Sequence, residues 1–151
     1  MILVTGATGT VGTEVVKALA GRGQRFRAGY RTRPQNVPAG QEAVQLDFEK
    51  PETLGPALSG VDTVFLLSST VAPEAAAVRA AKAAGVRRIV KLSVMRGARE
   101  EFTFARWHRA AERAVEESGL QWTFLRPNGF MQNVVNYMGA TIKGQGAFYT
   151  S

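Results

Sequence analysis

The sequence predicts an α/β fold in which a doubly wound parallel sheet forms the middle of three layers, α/β/α. Three observations carry this prediction. Short apolar segments alternate with amphipathic ones, the first apolar segment runs directly into a glycine-rich turn, and a glycine follows each helical segment. Alternating strands and helices favour parallel strands joined by right-handed crossovers. Glycine just past a helix is typical of a C-terminal cap.

Each element is predicted from its own pattern. Apolar runs predict strands at residues 2–5, 25–30, 43–46, 63–67, 88–92 and 123–125. Apolar positions at helical spacing predict helices near 11–20, 51–58, 73–84 and 102–118. Pro51 and Pro73 lie where the first turn of a helix tolerates proline. Residues 31–40, which include Pro34 and Pro38, are expected to form a loop.

The glycine-rich turn predicts the ligand. Gly6 permits a tight turn, Gly9 lets the backbone approach phosphates, and Gly12 allows close packing of helix on strand. A strand that turns sharply into a helix presents free N–H groups and the positive helix end to a dinucleotide pyrophosphate. The fold is therefore expected to be of the Rossmann type. The candidate cofactor-binding residues of this turn are Gly6, Thr8, Gly9, Thr10, Val11 and Gly12. The alternative is a glycine turn without a ligand.

Composition and charge narrow the classes of protein and of ligand that fit the sequence. The 151 residues fit one domain spanning 1–151, and no apolar run reaches the length of a membrane span. The first residues enter a strand at once and leave no room for a signal peptide, so the cytoplasm is the expected location. Absence of cysteine and a single histidine argue against a metal site. The net charge of +7 comes from scattered arginines, which suits a polyanionic cofactor better than nucleic acid.

The ends of the predicted strands supply further site candidates, because such sheets bind ligands beyond their carboxyl ends. Arg31 follows the second strand, where an acidic residue would hydrogen-bond the ribose of NAD. Its guanidinium fits a 2′-phosphate, with Arg33 close enough to help, so NADP(H) is the preferred cofactor and NAD(H) a possible one. The alternative is a solvated loop arginine.

The third and fourth strand ends complete the cofactor site. Asp47 could accept a hydrogen bond from the adenine amino group, with Phe48 beside the ring, or it could simply begin a turn. Ser68 ends the fourth strand and is the last cofactor-binding candidate.

Several motifs resemble those of one family along essentially the whole chain. They are VTGATGTVG at 4–12, AAKAAGV at 80–86, IVKLS at 89–93, RWH at 106–108 with Glu112, SGLQWTFLRPN at 118–128 and FMQN at 130–133. Together they resemble the NmrA-like branch of the atypical short-chain dehydrogenase/reductases, which includes quinone and azo-dye reductase-like proteins and NADP-sensing regulators. The resemblance implies NADP(H) binding on the predicted fold.

The same resemblance implies that a part is missing. Members of the branch run past position 151 into a further strand and a small region that covers the substrate. The chain is accordingly expected to lack that C-terminal substrate-covering part.

No standard proton relay is expected. The Tyr-x-x-x-Lys motif is absent from the 151 residues, since Pro34 and Thr141 stand four residues beyond Tyr30 and Tyr137, and Tyr149 is too near the end. His108 could instead donate a proton or hydrogen-bond a carbonyl, and Ser93 could orient the substrate or the nicotinamide carboxamide. The alternatives are a packing role for His108 and a turn cap for Ser93.

Other residues are expected near the edge of the sheet formed by the carboxyl ends of the strands. Asn133 and Met131 would line it, whereas Phe104 and Trp107 are expected in the core or the pocket wall. Two functions fit these predictions. One is an NADPH-dependent reductase of quinone-like or other electrophilic small molecules. The other is a non-catalytic module that senses NADP(H) for a regulatory protein partner. A homo-oligomer is compatible with either.

Overall fold

The computed structural model describes residues 1–32, 37–68, 71, 73–96, 99–100 and 102–147. Its strands are β1 (Ile2–Val4), β2 (Phe26–Tyr30), β3 (Glu42–Gln45), β4 (Thr63–Leu66), β5 (Arg88–Leu92) and β6 (Gln121–Leu125). They form one parallel sheet in the order β3-β2-β1-β4-β5-β6. The order reverses beside β1, and this switch point is where open α/β sheets bind ligands.

Five α-helices accompany the sheet in the part of the chain that is described. They are α1 (Thr10–Gly21), α2 (Leu54–Leu58), α3 (Glu74–Ala83), α4 (Thr103–Glu117) and α5 (Gly139–Gln145). The predicted helix at 51–58 begins as a 3₁₀ turn, Pro51–Thr53, with proline in its first turn. The π-helical turn Val134–Met138 and α5 were not predicted from the sequence. Gly139 and Gly144 lie inside α5, and glycine weakens the local helical signal.

The core lies on both faces of the sheet. Leu3 and Leu66 point to one face, where they pack with residues of α2, α3 and α4. Val4 and Phe65 point to the other face and pack with α1. This alternation follows from the two-residue period of a strand. The three-layer prediction is confirmed.

One edge of the sheet carries exposed aromatic and apolar side chains. On the edge strand β6, Trp122 is 47 % exposed and Leu125 is 42 % exposed. Trp122 stacks on Phe124 with a centroid distance of 4.3 Å, and the Arg126 guanidinium lies 5.4 Å from the Phe124 centroid. These contacts lie along β6 and just past its end, from which the chain enters the site described below. None of the helices in the described ranges is both long and apolar enough to cross a membrane.

Candidate functional site

A cleft of about 1120 Å³ opens at the carboxyl ends of the strands. Every strand contributes to it through the residues that follow. Representative lining residues, taken from β1 to β6 in chain order, are Gly6, Arg31, Asp47, Ser68, Ser93 and Asn128. The site is therefore a product of parallel topology, which brings six distant segments to one edge.

Most of the predicted site residues meet in this cleft. It is lined by Gly6, Thr8, Gly9, Thr10, Val11, Arg31, Asp47, Phe48, Ser68, Ser93, His108 and Asn133. Gly12 does not line it, and Arg33 lies outside the described residues. Met131 is 85 % exposed and Trp107 is 57 % exposed, so neither takes the place predicted for it, whereas Phe104 does line the cleft.

The turn between β1 and α1 has the geometry of an anion site. Gly6 has φ +59°, and a Cβ there would lie 3.0 Å from the Leu67 carbonyl oxygen. Gly9 is the N-cap of α1, and no side chain caps this helix end. The first turn also lacks an acidic residue. The positive end of α1 therefore faces the cleft uncompensated by a side chain.

Gly12 acts through packing. It is buried, and a Cβ built on it would lie 2.0 Å from the Gly6 carbonyl oxygen and 2.8 Å from the Ala7 Cα. Only a residue without a side chain allows α1 to approach its own turn this closely. The packing role predicted for Gly12 agrees with this geometry.

Thr5 ties the turn to the end of β4, a role that the sequence analysis missed. Its hydroxyl donates to the Leu67 carbonyl oxygen at 2.6 Å and accepts from the Leu67 N–H at 2.7 Å. Thr5 is buried and immediately precedes Gly6. A threonine at the end of an otherwise apolar strand was the available signal. This bond fixes the spacing between the glycine turn and Ser68.

Asp47 forms a turn and lines the cleft as well. Its Oδ1 accepts from the Glu49 N–H at 3.1 Å, as the turn interpretation predicts. The Thr53 hydroxyl bonds with the Asp47 backbone at 3.0 Å. The Glu49 contact agrees with the turn interpretation of Asp47, and the adenine contact stays a prediction.

Ser93 is anchored by a buried carboxylate. Its hydroxyl donates to Glu112 Oε1 at 2.6 Å, and Glu112 is fully buried. Arg126 also donates to both oxygens of Glu112 at 2.8 Å. Burial opposes the charge, but hydrogen bonds from Arg126 and Ser93 outweigh it and hold the pKa of Glu112 below its usual value. With its proton committed, Ser93 can offer the cleft only an acceptor.

His108 is a buried ring at the wall of the cleft. It is 6 % exposed, and Phe104 contacts it edge-on with a centroid distance of 4.5 Å. Burial, assisted by the charge of Lys91, lowers the pKa of His108 to about 4, although the charge of Glu112 acts in the opposite direction. The ring is therefore neutral at pH 7. Of the two roles predicted for it, hydrogen-bond donation fits this state and imidazolium acid catalysis does not.

A buried ion pair lies behind His108, and the sequence analysis did not identify it. Lys91 of β5 is fully buried and donates to Oε2 of Glu74 at 2.5 Å. Burial raises the pKa of Glu74 to about 7, while Lys91 acts to lower it. A lysine inside the otherwise apolar run 89–92 was the available signal in the sequence. Its partner could not be predicted from the sequence, because Glu74 lies 17 residues away in the chain.

Comparison with known proteins agrees with this geometry. A family described as NAD(P)H-binding matches residues 6–148. The chain is 38 % identical to the NAD(P)H azoreductase of Xenophilus azovorans over 99 % of its own length and 54 % of that protein. It is 43 % identical to (4-alkanoyl-5-oxo-2,5-dihydrofuran-3-yl)methyl phosphate reductase of Streptomyces griseus, over 91 % of the chain and 50 % of that protein.

The chain is also similar to solved structures of reductases. The Escherichia coli NADPH-dependent quinone oxidoreductase in complex with NADPH superposes with a TM-score of 0.82 at 27 % identity. The superposition covers 95 % of this chain and 54 % of that one. The chain thus spans about half the length of the relatives that it matches. It belongs to the NAD(P)H-binding family, within the NmrA-like atypical short-chain dehydrogenase/reductases that its motifs resemble.

Proposed function

We propose that the protein binds NADPH and reduces a quinone-like or other electrophilic small molecule. The observation that carries this proposal is a single cleft that joins the glycine turn to Ser93 and His108. The relatives support it, since they are named as reductases of azo compounds, quinones and an unsaturated phosphate ester. The proposed setting is the cytoplasm expected from the sequence.

The cofactor would lie across the switch point of the sheet. The glycine turn would hold the pyrophosphate, while Asp47 and Phe48 would flank the adenine. Arg31, at the end of β2, would pair with the 2′-phosphate. Ser68 and Ser93 would meet the nicotinamide end, where the Ser93 oxygen can accept from the carboxamide. When bound, NADPH supplies the hydride.

The protein itself would then contribute a hydrogen bond to the reaction and no proton. The neutral ring of His108 would donate a hydrogen bond to the substrate oxygen or nitrogen that gains negative charge. Such a donor stabilises that charge without transferring its own proton, so the proton is taken from water. Strong electrophiles such as quinones need no more assistance than this, which is compatible with a chain that lacks the Tyr-x-x-x-Lys motif.

The activity is tested by following NADPH oxidation with a panel of quinones. We expect turnover, and we expect His108→Ala to lower kcat about 100-fold, the loss typical of removing one preorganised donor. Arg106→Ala is the matched control, because Arg106 is an exposed residue on the same helix and does not line the cleft. Equal rates for wild type and His108→Ala would remove His108 from the mechanism.

Arg31 provides a separate test of cofactor choice. We expect Arg31→Ala to weaken NADPH binding about 10–100-fold and to leave NADH binding nearly unchanged, because a lost charge-assisted phosphate contact costs roughly 1.5–3 kcal/mol. Fluorescence titration with both cofactors measures this. Arg25→Ala is the control, since Arg25 precedes β2 and its side chain is 78 % exposed. Tighter wild-type binding of NADH than NADPH would overturn the preference.

A sensor of NADP(H) is the second candidate, and the absence of the Tyr-x-x-x-Lys motif favours it. In that case the chain would bind NADPH, oxidise none of it with any acceptor, and relay its state to a protein partner or a second copy. Tight binding without turnover in the quinone panel would support this function over the first.

A further inference from the structure

The cluster behind His108 combines three elements of the fold. Lys91 lies on β5, Glu74 is the first residue of α3, and His108 lies on α4. Lys91 and Glu74 are at most 1 % exposed and do not line the cleft, whereas His108 does. Burying a lysine is costly, and this one lies directly beside a residue of the cleft.

The contacts of Lys91 determine which nitrogen of the His108 ring carries the proton. Its Nζ lies 2.5 Å from Glu74 Oε2, 3.1 Å from the Leu92 carbonyl oxygen and 3.4 Å from His108 Nδ1. An ammonium has three N–H donors and no acceptor, so these three partners account for all of them. Nδ1 of His108 must then accept, which places the single ring proton of the neutral imidazole on Nε2.

The orientation of the ring follows from the same contacts. Because Nδ1 faces a lysine that does not reach the cleft, and His108 itself lines the cleft, the part of the ring available to the cleft includes Nε2. Among the described residues, Glu112 on the same helix also acts on the charge of the ring, and its carboxylate is bound by Ser93, Arg109 and Arg126. Lys91 is thus the group that contacts Nδ1.

We propose that Lys91, held in place by Glu74, is a positioning residue that keeps His108 in the Nε2–H tautomer and directs that N–H into the cleft. Its effect on turnover rests on the reductase function proposed above. The tautomer itself does not, since it is a property of the protein without substrate.

Nitrogen NMR of the ring tests the proposal directly. His108 is the only histidine, so selective ¹⁵N-histidine labelling yields one pair of ring signals. Between pH 5 and 8 we expect one fully protonated nitrogen, Nε2, and one unprotonated nitrogen, Nδ1. Protonation of the ring is expected only near its lowered pKa of about 4. Averaged signals, a proton on Nδ1, or an imidazolium at pH 6 in the wild type would each overturn the proposal.

The double variant Lys91→Met/Glu74→Leu removes both buried charges and roughly preserves volume. In this variant we expect the two nitrogen signals to move toward each other as the tautomers mix. The pKa of His108 should rise, because the charge of Lys91 contributes to lowering it. The exposed ion pair of Glu14 and Lys17 supplies the control, since Glu14→Gln/Lys17→Met should leave both signals in place. An unchanged tautomer in the Lys91 variant would show that Lys91 is not its cause.

Kinetics separate this proposal from the reductase function. If the wild type oxidises NADPH, the double variant should lose at least about tenfold in kcat with KM for NADPH nearly unchanged, as expected when a catalytic imidazole adopts a wrong tautomer. If the wild type shows no turnover, the reductase function fails and the NMR result still decides the role of Lys91.

Discussion

Gly12→Ala is expected to destabilise the protein by about 3 kcal/mol and to weaken NADPH binding at least tenfold. The added methyl would lie 2.0 Å from the Gly6 carbonyl oxygen, a backbone atom that cannot rotate away. Overpacking of this kind typically costs about 1–3 kcal/mol, with larger losses where backbone must shift. The helix would have to move from the turn that forms its anion site. Urea denaturation and NADPH titration measure the two effects.

Gly21→Ala is the matched control for this experiment. Gly21 is the last residue of the same helix, and a Cβ there meets nothing within 4 Å. We expect its stability to stay within about 0.5 kcal/mol of wild type or to rise, because alanine restricts the unfolded chain more than glycine does. Similar losses in both variants would contradict the packing argument for Gly12.

Glu112→Gln is expected to cost about 2–3 kcal/mol of unfolding free energy at pH 7. The buried carboxylate accepts from Ser93 and, at both oxygens, from Arg126. Hydrogen bonds to a charged group contribute roughly 1.5–3 kcal/mol, and an amide nitrogen cannot accept from a guanidinium.

The unfolding free energy lost in Glu112→Gln should depend on pH, and its pKa shift gives the direction of that dependence. Because the folded-state pKa of Glu112 lies below its unfolded value of about 4.5, its contribution is fully present above that pH and is lost progressively as the pH falls toward and through the lowered folded-state pKa. The difference between wild type and Glu112→Gln in urea denaturation should therefore shrink from pH 7 to pH 3.5. Glu116→Gln is the control, since Glu116 pairs with Arg109 near the surface. This substitution should lower the unfolding free energy by no more than about 1 kcal/mol. A pH-independent difference would refute the ion-pair argument.

The order of elements and the edge that binds ligands were predictable from local patterns. Each strand was bounded to within a residue or two because its apolar run and its flanking glycine or proline lie together in the sequence. Parallel connections then place the residues after each strand at one edge. This is why Gly6, Arg31 and Ser93 could be named as neighbours although they are far apart in the chain.

The groups around His108 and Ser93 could not be predicted in the same way. Lys91 meets Glu74 and His108 across 17 residues in either direction, and Glu112 meets Ser93 across 19. Such pairs depend on the register of strand against helix, which no local pattern records. The neutral state of His108 likewise depends on burial and on the charge of Lys91, so the sequence left proton donation, a hydrogen bond to a carbonyl and a packing role all open for it.

Local sequence was thus sufficient for the glycine turn, the parallel sheet and the family, because backbone conformation and periodicity are short-range properties. Packing of β5 against α3 and α4 was needed to show which buried charges meet and which face of an imidazole they leave for the cleft. Those properties arise from desolvation and from distances between side chains, and both exist only once the chain is folded.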